Sequence, residues 1–84
     1  MLFRSRRASL DGCTPSASDE DRRCHRYART GVRQQQENRR FSCGFAGSPW
    51  HADYEGHFSW CQTVSEKRTE DEMAMRADKL AGCR

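Results

Sequence analysis

Five cysteines in an 84-residue chain, Cys13, Cys24, Cys43, Cys61 and Cys83, constrain this sequence more than any other feature. A chain of this length closes one domain around a small core. Hydrophobic residues make up 35% of it and charged residues 32%, so the apolar interior is meagre and a covalent or metal staple is expected. Cysteines spread through a short polar chain read as a disulfide framework formed in an oxidising compartment. An odd count leaves one over. Cys13 lies in a Ser/Thr/Pro/Gly stretch outside any helical pattern and is the natural free thiol, or the link in a dimer. Export to the periplasm or beyond the cell is the expected location. Residues 1–10 are basic and carry no apolar run of about 7–15 residues such as an export leader has, so a cytoplasmic location is the alternative. No stretch has the length and hydropathy to span a membrane.

Residues 1–17 read as a flexible basic arm, and residues 18–84 as a helical domain. Ser18 is placed to cap a first helix over residues 19–40, with Asp19, Glu20 and Asp21 at the positive end of its dipole. At 100° per residue, Cys24, Tyr27, Ala28, Gly31, Gln35 and Asn38 share one face, and Ala28 and Gly31 leave room for a close neighbour. Arg22, Arg26, Arg29, Arg33 and Arg40 share the opposite face. Residues 41–48 form a turn, with Phe41 and Phe45 expected over the end of the core. Ser48-Pro49 then reads as the start of a second helix over residues 49–66. On it Trp50, Tyr54, His57, Phe58, Trp60, Cys61 and Val64 fall in one arc and should form the heart of the core. Thr69 and Glu72 have the capping-box spacing for a third helix over residues 70–81, which buries Met73, Ala77 and Leu80 and stops at Gly82. The alternative is one long helix, since residues 65–69 contain no Gly or Pro.

Helix geometry selects the disulfide pairing. Cys24 and Cys43 are 19 residues apart in sequence, roughly 28 Å along a mostly helical path. A bridge requires Cα atoms within about 7 Å, so this pair is excluded. Folding the second helix back across the turn brings Cys61 near the level of Tyr27, about one turn from Cys24, and folding the third back returns Cys83 toward Cys43. The expected bridges are Cys24–Cys61 and Cys43–Cys83.

Residues 24–61 read C-x2-YA-x3-V-x2-Q, then CGF-x-G-x2-W, then D-x3-H-x2-WC. This resembles a small cysteine-patterned domain of predicted exported bacterial proteins. It covers under half of the chain, with Cys83 as a further member, and Gly31 stands where that pattern has Ala. The resemblance implies a fold and a compartment and brings no catalytic residue with it.

The sites open to this chain follow from the same residues. His57 and Cys61, four apart on one helical face, suit a zinc site with two other cysteines as ligands, and His25 and His51 add candidates; the chain has no C-x2-C pair and no H-x3-5-H pair. Cys43 with a nearby histidine can be drawn as a nucleophile, and Asp53 with His57 as a pair, but the Cys43–Cys83 bridge removes that thiolate. The net charge is +3, and residues 19–40 hold seven arginines against four acids. The stripe of Arg22, Arg26, Arg29, Arg33 and Arg40 is therefore the candidate anion-binding surface, for nucleic acid or another anionic surface, and otherwise a solvated face. Trp50, Tyr54, Phe58 and Trp60 are read as core, with Trp60 at the edge of the arc as a possible exposed contact. The reading is an all-α, three-helix, disulfide-stapled domain. It is expected to be a binding or structural module rather than an enzyme, with no cofactor and with another protein or an anionic surface as its partner. A small cytoplasmic zinc-binding domain is the alternative.

Overall fold

The computed structural model describes residues 15–84, which form three helices: α1 (Pro15–Arg40), α2 (Tyr54–Thr63) and α3 (Glu66–Cys83). Cys13 and the rest of residues 1–14 lie outside the described residues. The fold is all-α, with no strand among those residues, and two disulfides staple it: Cys24–Cys61 with Cα atoms 5.5 Å apart and Cys43–Cys83 with 5.8 Å.

At 26 residues, α1 is the spine, roughly 39 Å long at 1.5 Å per residue. Both shorter helices pack on it. The contacts fix their directions. Arg23 meets Thr69, Gln34 meets Met73 and Arg76, and Glu37 meets Arg84, so α3 runs the same way as α1. Cys61 reaches back to Cys24, which makes α2 the returning arm.

The helix boundaries differ from the sequence expectation at each start. Helix α1 begins at Pro15, so Ser18 lies inside it rather than capping it. Helix α2 begins at Tyr54, with Asp53 as the N-cap, not at Ser48-Pro49. The cause is a second turn. Gly47 has φ 112°, a conformation that favours glycine, and the Trp50 N–H donates to its carbonyl at 3.0 Å. That turn tucks Trp50 into the interior, stacked on Phe45 with ring centroids 4.9 Å apart. Helices α2 and α3 are separate. Val64 and Ser65 are both extended, and the Ser65 side chain caps α3 by accepting from the Arg68 N–H at 3.2 Å. Ser65, not Thr69, is therefore the cap, and Thr69 is buried one turn in. Helix α3 runs through Gly82 to Cys83.

The interior is as much polar as apolar. Its apolar part is centred on the Cys24–Cys61 bridge and Tyr27, with Phe58, Trp60 and Met73 packed against them and Leu80 buried beyond. Gln34, Asn38, His57, Thr69 and Arg76 are buried too. On α1 the buried face is Cys24, Tyr27, Ala28, Gly31, Gln34 and Asn38, with Gln34 in the place expected for Gln35. On α3 it is Thr69, Arg76 and Leu80, while Ala77 is exposed. Phe41 does not cover the core; it is 42% exposed, under the Arg40 guanidinium.

Hydrogen bonds do the joining that a larger apolar core would otherwise do. Asn38 clamps the turn to α1, donating to the Phe45 carbonyl at 2.8 Å and accepting from the Phe45 N–H at 3.1 Å. Gln34 spans from α1 to α3, donating to the Met73 carbonyl at 3.0 Å and accepting from Arg76 Nε at 2.6 Å. Arg23 Nη1 reaches Cys61 Sγ at 3.4 Å and Thr69 Oγ1 at 3.3 Å. Each of these buried polar groups is costly if left unmatched and modestly stabilising once matched.

Candidate functional site

Two surfaces hold chemistry that the fold does not use up. The first is the outer face of α1. Arg22, Arg26, Arg29, Arg33 and Arg40 are all exposed, as their helical spacing requires once Cys24, Tyr27 and Ala28 face inward. Arg22 pairs with Asp19 at 2.5 Å, and Arg40 lies over Phe41. Arg26, Arg29 and Arg33 form no ion pair among the described residues, and with His25 and Thr30 they line a shallow depression of about 420 Å³. Three of the acids elsewhere are matched: Glu37 with Arg84 at 2.8 Å, Asp71 with Lys67 at 3.1 Å and Glu72 with Arg68 at 3.5 Å. The depression therefore gathers three arginine charges along about two helical turns.

The second surface is a cleft of about 260 Å³ where all three helices meet the 48–51 segment, bordered by Tyr27, His51, His57, Trp60, Arg68 and Glu72. His57 is held there by a sandwich. A Cβ added at Gly31 would lie 2.9 Å from three atoms of its ring, so α1 presses flat on one face. His51 stacks on the other, with centroids 3.8 Å apart and planes 8° from parallel. The His57 Nε2–H donates to the His51 carbonyl at 2.8 Å, and His51 Nδ1 accepts from the Asp53 N–H at 3.2 Å. These bonds place the proton of each neutral ring on Nε2. Burial holds His57 below the ordinary histidine range, only partly offset by the bond to the His51 carbonyl. Burial likewise pushes the Tyr27 hydroxyl up, against the pull of the neighbouring Arg76.

Behind the cleft stands Arg76, which is fully buried. Its Nε donates to Gln34, its Nη1 lies 3.4 Å from the Pro49 carbonyl and 3.8 Å from Glu72, and its plane sits 5.2 Å from the Tyr27 ring centre. Its Nη2 has no hydrogen-bond partner. Sequence reasoning missed Arg76, because an arginine in a polar helix reads as a solvated residue. The one available signal was spacing, since Arg76 stands one turn from both Met73 and Leu80 on the inward face.

The other sequence candidates are placed as follows. Cys24, Cys61, Cys43 and Cys83 are in bridges, so neither Cys61 nor Cys43 offers a thiolate to a metal or a substrate. His57 has Nε2 committed to the His51 carbonyl, and no three His, Cys, Asp or Glu side chains converge on a metal-sized site among the described residues. Trp60 is half-buried, packed on Tyr27 at 5.4 Å with Arg68 over its ring. No helix among the described residues is long and apolar enough to cross a membrane, and the two disulfides fit an oxidising compartment. No protein-family model, no curated protein and no solved structure matches this chain.

Proposed function

We propose that this chain is a non-catalytic, disulfide-stapled module that works in the periplasm or outside the cell and docks on an anionic partner surface through the outer face of α1. The observation that carries the reading is the row of Arg26, Arg29 and Arg33, unpaired among the described residues and set on the rigid spine of the fold, while Asp71 and Glu72 of α3 are matched within their own helix. Arginine suits such a role, because its planar fork bonds carboxylates and phosphates in pairs. The bridges support the compartment, and a fold with this little apolar core gains a rigid docking face from them. The zinc-binding alternative is disfavoured, since Cys61 is oxidised in the Cys24–Cys61 bridge.

The test compares the wild type with the triple variant Arg26→Gln, Arg29→Gln, Arg33→Gln against two anionic probes, a short DNA duplex and vesicles rich in acidic phospholipid. All three side chains are exposed, so the variant keeps its fold. Wild-type binding should weaken steeply with salt, roughly 40-fold on DNA between 50 and 200 mM if three phosphates are neutralised. The triple variant should bind at least about tenfold more weakly. Absence of wild-type binding to both probes at low salt, or equal binding by the triple variant, overturns the reading.

A further inference from the structure

The arginine row has an aromatic neighbour. His25 stands one helical turn before Arg29 and two before Arg33, so the ring and the two guanidinium groups follow one ridge of α1, roughly 6 and 12 Å apart along the axis. It is exposed, and with Arg26, Arg29, Thr30 and Arg33 it lines the same depression of about 420 Å³. Charge is uneven along this ridge. Asp21 precedes His25 by one turn, whereas arginines follow it, and Glu37, one turn past Arg33, is matched by Arg84 at 2.8 Å.

His25 is also held in place. Its Nδ1 is hydrogen-bonded to the Tyr54 hydroxyl of α2, and the two rings meet edge to face with centroids 5.7 Å apart. Tyr54 is half-buried and stacks in turn on Phe58, with centroids 6.0 Å apart. Phe58 packs on the cluster of Tyr27 and the Cys24–Cys61 bridge. A line of contacts therefore runs from the core to an exposed imidazole, and a ring fixed in advance loses less freedom when a ligand lies on it.

Anionic surfaces differ in what they offer such a ring. A phospholipid surface presents phosphates without flat π-faces, and a duplex keeps its bases paired and stacked inside its phosphates. A single strand presents phosphates and unstacked bases side by side, and histidine is among the rings on which proteins stack such bases. We infer, resting on the anionic-docking reading above, that the partner of this face is single-stranded nucleic acid, with one base stacked on His25 and the phosphates beside it held by Arg26, Arg29 and Arg33.

The test measures binding of the oxidised protein to a mixed-sequence DNA strand of about 12 nucleotides, to the same sequence as a duplex, and to vesicles rich in acidic phospholipid. The strand should bind more tightly than the duplex. Its binding should fall roughly 20-fold between 50 and 200 mM salt if three phosphates are neutralised. His25→Ala, a change at an exposed side chain, should weaken the strand at least about fivefold and leave the duplex unchanged. His25→Phe keeps a stacking ring and should restore strand binding; a merely structural role for His25 would move the duplex as well. A strand bound no better than the duplex, a His25→Ala protein that binds it like the wild type, or a loss that His25→Phe does not restore overturns the inference. Duplex or vesicle binding that the triple arginine variant loses, with no preference for the strand, overturns it while leaving the docking reading intact. No binding to any of the three overturns both.

Discussion

Replacing Gly31 by alanine should destabilise this protein even though alanine is the better helix former. A Cβ at this position lies 2.9 Å from Cδ2, Cε1 and Nδ1 of His57. Non-bonded carbons prefer about 3.5–4.0 Å, so the ring would have to retreat by at least about 0.6 Å. Retreat is blocked by His51, stacked on the far face, and it stretches the 2.8 Å bond from His57 Nε2 to the His51 carbonyl. Overpacking of this kind costs about 1–3 kcal/mol, and weakening a buried hydrogen bond adds about 1 kcal/mol. The helix propensity of alanine returns about 1 kcal/mol. The net loss is about 1–3 kcal/mol, which in a domain of this size lowers Tm by roughly 5–20 °C. Gly82 is the internal control. It is also helical, but a Cβ there meets nothing within 4 Å, so Gly82→Ala should gain a few tenths to about 1 kcal/mol. Thermal unfolding followed by circular dichroism without reductant measures both. A Gly31→Ala protein as stable as the wild type, beside a Gly82→Ala protein that gains, would refute the sandwich as a packing constraint.

Two further outcomes follow. His57 titrates lower in the folded chain than the ordinary value near 6.5, so the unfolded chain takes up the proton first and stability is lost as pH falls below about 6.5. Melting curves between pH 7.5 and 5 should show this loss, and His57→Gln, which keeps a donor for the His51 carbonyl, should show less of it; identical slopes would exclude His57 as the source. The bridges should also differ in accessibility. Cys24 and Cys61 are fully buried whereas Cys83 is exposed, so limiting dithiothreitol followed by alkylation should label Cys43 and Cys83 before Cys24 and Cys61. Equal labelling at every time point would contradict that ordering.

The bridges were legible in the sequence because helix length is a strong constraint: 19 residues of mostly helical chain hold Cys24 and Cys43 apart whatever the details. The arginine stripe was legible for the same reason, since a periodic face is fixed once Cys24 and Tyr27 are known to face inward. Gln34 and Gln35 were not separable, because they lie at opposite edges of one face and only the reach of Arg76 decides between them. The Ser48-Pro49 signal was a sound local start, overridden by the tertiary placement of Trp50 against Phe45. Ser65 was passed over because Thr69 had the stronger capping sequence, yet Thr69 is needed inside, with its hydroxyl donating to the Glu66 carbonyl at 2.6 Å and accepting from Arg23. The cleft was invisible for a related reason. The residue behind it, Arg76, is a buried charge, and burial of a charge is decided by partners distant in sequence.

The central claim is that sulfur cross-links between helices compensate for an interior shared between a few apolar groups and a few polar clamps. The bridges join residues 37 and 40 apart in sequence, and the chain-entropy estimate for either loop is about 4 kcal/mol. That is comparable to the whole stability expected for about 70 ordered residues, roughly 4–10 kcal/mol. The most direct measurement is far-UV circular dichroism against temperature on one sample before and after full reduction, with the thiols counted in each state. The structure requires Cys24, Cys43, Cys61 and Cys83 to be unreactive before reduction and the cooperative transition to vanish, or to fall below room temperature, after it. A fully reduced chain with all its thiols titratable and an unchanged melting transition would contradict the account.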